Sequence, residues 1–356
     1  MVSKINIYAY FLPQFYPTPE NDKHWGKGFT EWNNVKKAKP LFRNHQQPIC
    51  PTKFGYYDLS DLGSFKSICE YAQNYDVNGF AYWHYWFGDD FQTLEKIPES
   101  HLADSSIEQN FFLSWANSNW TKSWVGRDDT VIFKQKYILK DVDKHFNYIR
   151  KFFEDERYIR LDGKPLFQVL KPFDSACIQY IRKLEELMQK TYNSGIYWIF
   201  PSADNELFND LNYKIAGFPP GDVLENLFMY RVKRKAQVSG FSKLPAKCTD
   251  QEYLKGFLKE NKKQIQTIGE KYIVTLLSGW DNTPRYGQNG YIMGDSINGM
   301  LEGQVKVFNQ KIRPHYKNDF ILIKAWNEWA EGNILEPYST PSDQFNPVEL
   351  LRHLNV

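Results

Sequence analysis

Apolar and β-branched residues gather in short runs along the chain, and helical periodicity fills the intervals between them. Runs at 5–11, 79–86, 111–116, 165–170, 196–201, 214–218, 272–277 and 320–325 read as strands. The run at 214–218 is brief and passes straight into Pro219 and Pro220. Between the first two runs, Leu62, Phe65, Ile68, Cys69 and Ala72 recur at three- and four-residue spacing behind Asp61, a candidate N-cap. Similar periodicity covers 142–153, 177–192, 251–266, 301–311 and 348–354. Strands alternating with helices are the pattern of βα units around a parallel sheet. Eight such units predict an α/β fold, a single (β/α)8 TIM barrel over residues 1–356 with long inserted βα loops near 12–60 and 219–250. No GxGxxG follows the first strand, which argues against an open doubly wound sheet. No linker-like stretch and no internal repeat divides the chain, so one domain is expected.

Composition changes this picture in one respect, the aromatic content. Eleven Trp, 23 Tyr and 26 Phe make 17% of the 356 residues, against an ordinary 42% hydrophobic and 24% charged. Charge excludes more than it suggests: 44 Lys and Arg against 42 Asp and Glu leave +2, no basis for nucleic acid as partner. Cys50, Cys69, Cys177 and Cys248 form no CxxC pair, which fits a reducing compartment. The opening MVSKINIYAYFLPQFYP is too polar for a signal h-region, and no run reaches the roughly 18 apolar residues of a membrane span. A soluble, cytoplasmic protein is therefore expected. The basic run RVKRK at 231–235 reads as a solvated face, with an anionic glycan or peripheral contact with a membrane as alternatives.

The chemistry concentrates in FILIKAWNEWAEGNILEP, residues 320–337. A buried strand leads directly into Trp326, Asn327, Glu328, Trp329 and Glu331 before Gly332. On a barrel, residues just past a strand's C-terminal end face the active site. Two carboxylates three residues apart share one face if the segment turns helically, their Cβ atoms about 5 to 6 Å apart. Such a pair suits glycosidic chemistry, one acid protonating the leaving oxygen and the other acting as base or nucleophile. The plainer alternative is that one or both only cap a helix or pair with a lysine.

Other strand ends repeat the theme. The second ends in Trp83, His84, Tyr85, Trp86 and Phe87, the third in Trp115, Asn117, Asn119, Trp120 and Trp124, and the seventh in Trp280, Asp281 and Asn282. Indoles interleaved with polar side chains make a groove of stacking faces and hydrogen-bonding edges, as a polyhydroxylated ligand needs. Any single tryptophan is more simply core packing, and His84 alone a satisfied buried histidine. Tyr8 in the first strand is a further candidate contact, and Glu31 beside Trp32 in the loop after it offers a third carboxylate. No HExxH and no carboxylate cluster at ligand spacing occurs, so no metal and no cofactor is expected.

Six motifs carry a resemblance to a known family: FLPQFYPTPENDKHWGKGFTEWNNVKKAKPLF at 11–42, HYWF at 84–87, SWANSNWTKSW at 114–124, GKPLF at 163–167, GWDNTPR at 279–285 and AWNEWAEGNILEP at 325–337. Together and in order they resemble the WbsX family, bacterial proteins related to glycoside hydrolase family 99 and found in lipopolysaccharide or capsule gene clusters. The resemblance covers essentially the whole chain. It implies a (β/α)8 barrel and, through the hydrolase relatives, retaining action on α-linked sugars. It further implies Glu331 as general acid/base and Glu328 as the base that deprotonates the sugar 2-hydroxyl, which attacks the anomeric carbon to give a 1,2-anhydro intermediate. Glu31 resembles the relatives' loop carboxylate. Three positions depart from the pattern: Ser118 stands where the family has a carboxylate, Gly279 where it has serine and Ile334 where it has histidine.

These features predict a glycosidase-like enzyme acting on the α-linked sugars of a bacterial surface polysaccharide with Glu328 and Glu331 and no metal. A glycosyltransferase of lipopolysaccharide O-antigen or capsule biosynthesis is the alternative. Against it, Asp89–Asp90 and Asp128–Asp129 are adjacent pairs rather than a DxD motif. A carbohydrate-binding protein without catalysis is the third reading. The expected contacts are Tyr8, Glu31, Trp32, His84, Tyr85, Trp86, Trp115, Asn117, Asn119, Trp120, Trp280, Asp281, Asn282, Trp326, Asn327 and Trp329.

Overall fold

All eight predicted runs form parallel strands in a computed structural model that describes residues 4–122, 127–171, 174–201, 208–217, 219, 221–224, 227–295 and 297–355. They are β1 Asn6–Phe11, β2 Val77–Gly88, β3 Asn110–Trp115, β4 Lys164–Val169, β5 Tyr197–Phe200, β6 Asn212–Ala216, β7 in two segments (Tyr272–Ile273 and Thr275–Leu277) and β8 Phe320–Lys324. Phe218, the end of the sixth predicted run, lies outside the described residues.

Each strand pairs with its sequence neighbour, except that β7 does so by halves. Its first segment pairs with β6 and its second with β8, while β8 returns to β1 through Asn6↔Phe320 and Ile7↔Ile321. The result is a nearly closed TIM barrel. Helices lie between the strands: α1 Leu62–Asn74, α2 Val142–Phe153, α3 Ser175–Tyr192, α4 Phe228–Val238, α5 Asp250–Ile268 and α6 Ile297–Val307. Asp61 caps α1 by accepting from the amides of Gly63 and Ser64, as its position predicted. Thr249 and Glu252 close a capping box at α5. The last periodic segment is a 3-10 helix, Pro347–Asn355, rather than an α-helix.

Strand pleat decides what enters the barrel. From β1, Tyr8 and Tyr10 point inward, and Tyr10 stacks on Trp83 of β2 with ring centroids 4.7 Å apart. Tyr8 lies deeper, against Phe112 and Phe320. Phe11 faces outward onto Phe65 of α1. Both inserted loops sit at the C-terminal end of the strands. The 12–60 loop carries short helices at Pro19–Trp25 and Trp32–Lys37, and its Cys50–Pro51 strand pairs with Tyr338–Ser339. The 219–250 loop carries α4 and the strand Ala246–Cys248. That strand pairs with Tyr291–Met293, which pairs in turn with Trp280–Asp281.

Candidate active site

Beyond β8 the chain makes a tight hairpin. Asn327–Glu328 pairs antiparallel with Asn333–Ile334, a 3-10 turn spans Trp329–Glu331, and Gly332 adopts the left-handed conformation, φ 63° and ψ 23°. Both glutamates reach the wall of a cavity of about 860 Å³ at this end of the barrel. Gly332 is needed for two reasons: its φ suits glycine, and a Cβ there would meet the Asp281 amide nitrogen at 2.7 Å. Gly332→Ala is expected to destabilise the protein by about 1 to 3 kcal/mol in denaturant unfolding. Wild-type stability in that variant would show that the turn yields freely.

The two carboxyls have opposite electrostatics. Burial and the Glu331 charge push Glu328 up to about 7, and its Oε1 accepts from Trp83 Nε1 at 2.8 Å. Burial opposes ionisation of Glu331 as well, but the charges of Arg285 and Lys324 outweigh it and hold the group below the usual carboxylate range. Arg285 Nη1 donates to Glu331 Oε1, Arg285 Nε donates to Glu31 Oε1 at 2.9 Å, and Lys324 Nζ lies 3.8 Å from Glu331 Oε2. Burial raises Glu31 despite Arg285. Three buried carboxyls thus meet two buried cations. Of the Glu328–Glu331 pair, Glu328 is the carboxyl that favours the proton.

The remaining wall is aromatic and amide-rich. Tyr85 and Phe87 stack on Trp120 at 5.3 and 6.0 Å with interplanar angles of 20° and 14°, forming a shelf. Asn117 is held by Tyr137 Oη and by the Lys171 carbonyl, each accepting from its Nδ2 at 2.9 Å. Asn119 accepts from the Gln135 amide at 2.8 Å. Ser118 and Lys171 also border the cavity, so the serine in place of a family carboxylate leaves this wall without that charge. Among the described residues, no group of three or more His, Cys, Asp or Glu side chains is arranged to hold a metal ion.

Of the residues expected in the site, the structure brings Glu328, Glu331, Tyr85, Asn117, Asn119 and Trp120 to the cavity wall. The others do not line it. Tyr8 lies too deep in the barrel. His84 and Trp86 alternate with Trp83 and Tyr85 and so face outward, where His84 Nε2 meets His145 Nε2 at 2.9 Å and Trp86 stacks on His145 at 4.7 Å. Trp115 is outward too and donates its indole N–H to the Trp86 carbonyl. Burial lowers His84 to about 3, the state of a packing residue. Trp124 and the side chains of Asp128 and Asp129 lie outside the described residues.

Several of the displaced residues support the site from behind. Glu31 braces Arg285, and Trp32 donates to the Tyr57 carbonyl while packing on Trp329. Asn327 exchanges two hydrogen bonds with the Leu12 backbone, at 2.7 and 3.0 Å, and so ties the ends of β1 and β8. Asp281 accepts from Gln47 and Thr283 and contacts His45 at 2.9 Å, which fixes the Thr283–Tyr286 turn bearing Arg285. Asn282 accepts from the Tyr291 amide. Trp280 stacks on Tyr291, with Lys324 Nζ 5.1 Å from its ring.

Trp326 and Trp329 both donate to Glu336, at 2.8 and 2.7 Å, and Tyr57 Oη donates to the same carboxyl. Burial pushes Glu336 up to about 8. A raised carboxyl contributes stability that is complete below its unfolded value and lost as pH rises through the folded one. The wild type is therefore expected to lose stability between about pH 4.5 and 8 in thermal melts, and Glu336→Gln to flatten that fall. An unchanged slope would refute the assignment.

The structure adds Arg285 and Lys324 to the site. Arg285 ends the GWDNTPR motif, and Lys324 is a charged residue inside an otherwise apolar strand directly before the glutamates, so each carried a readable signal. Trp83 is the inward neighbour of the His84 and Trp86 that were selected.

Comparison with known proteins agrees with this architecture. A protein named "Uncharacterized protein WxcX" from two strains of Xanthomonas campestris pv. campestris is 29% identical over 345 residues, 93% of this chain. The chain spans about half the length of these relatives, 47%. A "Glycoside hydrolase-like protein" superposes with a TM-score of 0.61 at 15% identity, covering 100% of this chain and 96% of the other. The GH99 endo-alpha-mannosidase from Bacteroides thetaiotaomicron superposes with a TM-score of 0.52 at 13% identity, covering 98% and 95%. Both likenesses are of fold. The family model described as "Glycosyltransferase WbsX" matches residues 7–346, and with nearly its whole length so matched this chain belongs to the WbsX family.

Proposed function

We propose that the protein makes or breaks α-glycosidic bonds of a bacterial surface polysaccharide with retention, using Glu328 and Glu331. The carrying observation is the pair itself: two carboxyls three residues apart on one cavity wall, one pushed up and the other held down, beside an aromatic shelf that suits a sugar face. Glu328 takes the proton of the sugar 2-hydroxyl as that oxygen attacks the anomeric carbon. The glycosidic bond breaks, and the leaving oxygen takes the proton of Glu331. Water or an acceptor hydroxyl then opens the 1,2-anhydro ring at the anomeric carbon and gives its proton to Glu331, while Glu328 returns its own to the 2-oxygen. The reactive form is thus the tautomer with the proton on Glu331, the minor one in the unliganded site.

Transfer to a sugar acceptor is the second reading, favoured by the family's description. Incubation with oligosaccharides of the host's surface polysaccharide, followed by NMR of the anomeric protons, tests the proposal. An α-configured first product is expected, free sugar if water is the acceptor and a longer chain if transfer dominates. A β-configured first product, or no turnover across the panel, would overturn it.

A further inference from the structure

The described residues place an unusual surface beside the site. Phe228, Met229, Val232 and Val238 of α4 are exposed, and Phe241 and Leu244 of the following loop are exposed with them. Phe228, Val238 and Phe241 keep 75%, 74% and 91% of their surface in contact with solvent. Soluble proteins seldom leave large apolar side chains so grouped without a partner for them.

Cations are set among these side chains. Arg231, Lys235 and Lys243 are exposed on the same stretch and form no ion pair among the described residues. Lys233 and Arg234 turn inward instead: Lys233 donates to the Lys247 carbonyl at 3.0 Å, and Arg234 donates to the Asn289 carbonyl at 2.7 Å. The basic run therefore divides into cations that anchor the helix and cations left to a partner. No helix among the described residues is long and apolar enough to cross a membrane.

We infer that α4 and residues 239–244 form an interfacial face that docks the protein on an anionic lipid bilayer. The six apolar side chains enter the headgroup region while Arg231, Lys235 and Lys243 meet lipid phosphates. Charge complementarity selects this occupant. A second copy would bring the same three cations face to face, whereas a bilayer surface supplies many anions and an apolar layer together.

A run of aromatic rings leads from the face to the cavity. Tyr230 of α4 meets Tyr291 at 6.2 Å, Tyr291 stacks on Trp280 at 5.4 Å, and Lys324 of the cavity wall lies 5.1 Å from that indole. Docking therefore brings the C-terminal end of the barrel to the bilayer. If the glycosyl chemistry proposed above is right, this geometry favours a glycan carried on a membrane lipid over one free in solution.

Co-sedimentation with phosphatidylcholine vesicles, with and without phosphatidylglycerol, tests the docking. The wild type is expected to partition onto the mixed vesicles and weakly onto the neutral ones. Arg231→Glu with Lys235→Glu is expected to weaken partitioning about thirtyfold or more, equivalent to about 2 kcal/mol at about 1 kcal/mol per cation. Phe228→Ser with Phe241→Ser is expected to weaken it at least about tenfold. All four side chains are exposed, so circular dichroism and the melting temperature should hold. No partitioning of the wild type, or equal partitioning of both variants, would overturn the inference. So would a wild-type dimer in sedimentation that the serine variant dissolves, since the face would then join two copies. Glu331→Gln is expected to bind the vesicles as the wild type does, which separates a failure of docking from a failure of the glycosyl chemistry.

Discussion

Glu331→Gln is expected to lower glycosyl turnover on the order of 10³-fold, within the usual contribution of a positioned acid or base. The substitution keeps the shape of the turn and removes the proton donor. Loss should depend on the leaving group: an aryl glycoside that departs without protonation retains far more activity than an alkyl one. Glu328→Gln should show no such relief, because attack by the 2-hydroxyl still lacks its base. The opposite pattern would exchange the two roles. In the wild type the rate should fall above about pH 7, where the pair loses the single proton held on Glu328. Removing the Glu331 charge lowers Glu328, the base that must be ionised, so any residual Glu331→Gln activity should lose the alkaline limb and rise with pH to a plateau reached below about pH 7. A wild-type profile flat from pH 6 to 9 would show that the pair does not carry the limiting proton.

Arg285→Met is expected to destabilise the protein by about 3 to 5 kcal/mol at neutral pH, because it leaves Glu31 and Glu331 buried with no guanidinium between them. The pH dependence distinguishes lost charge from lost packing. Without Arg285, Glu31, already raised by burial, climbs further and Glu331 loses the larger of the two charges that hold it down, so the folded variant favours their protonated forms. Its stability is then greatest below the unfolded carboxylate range and falls as pH climbs through the raised folded values. Denaturant unfolding should show a deficit against the wild type that is small in acid and grows toward neutrality. A deficit equal at all pH would assign the loss to packing.

Arg285 also shows why part of the site was hard to read from the chain. Nothing local says that it will meet a glutamate 254 residues earlier and another 46 later. The second strand had the opposite difficulty, since the run Trp83–His84–Tyr85–Trp86–Phe87 held its answer in its own parity. A strand's side chains alternate, so only Trp83, Tyr85 and Phe87 can share the interior, and His84 and Trp86 must face α2. Trp326 and Trp329 misled for another reason. They stand beside the glutamates in sequence but turn their N–H groups to Glu336, a carboxyl whose role appears only when three donors converge on it.

The sequence by itself determined the eight strands, the helix cap at Asp61 and the position of the glutamates at the end of β8. Each of these depends on periodicity, capping chemistry or chain order, all of which are local. Tertiary structure alone decided which of the two alternating sets on each strand faces the cavity and which tryptophans fill the core, because that depends on what packs behind each ring. It also decided the charge state of the pair. Burial raises both glutamates, and only the approach of Arg285 from another part of the barrel, joined by Lys324 at the end of β8, holds Glu331 down and makes Glu328 the carboxyl that favours the proton.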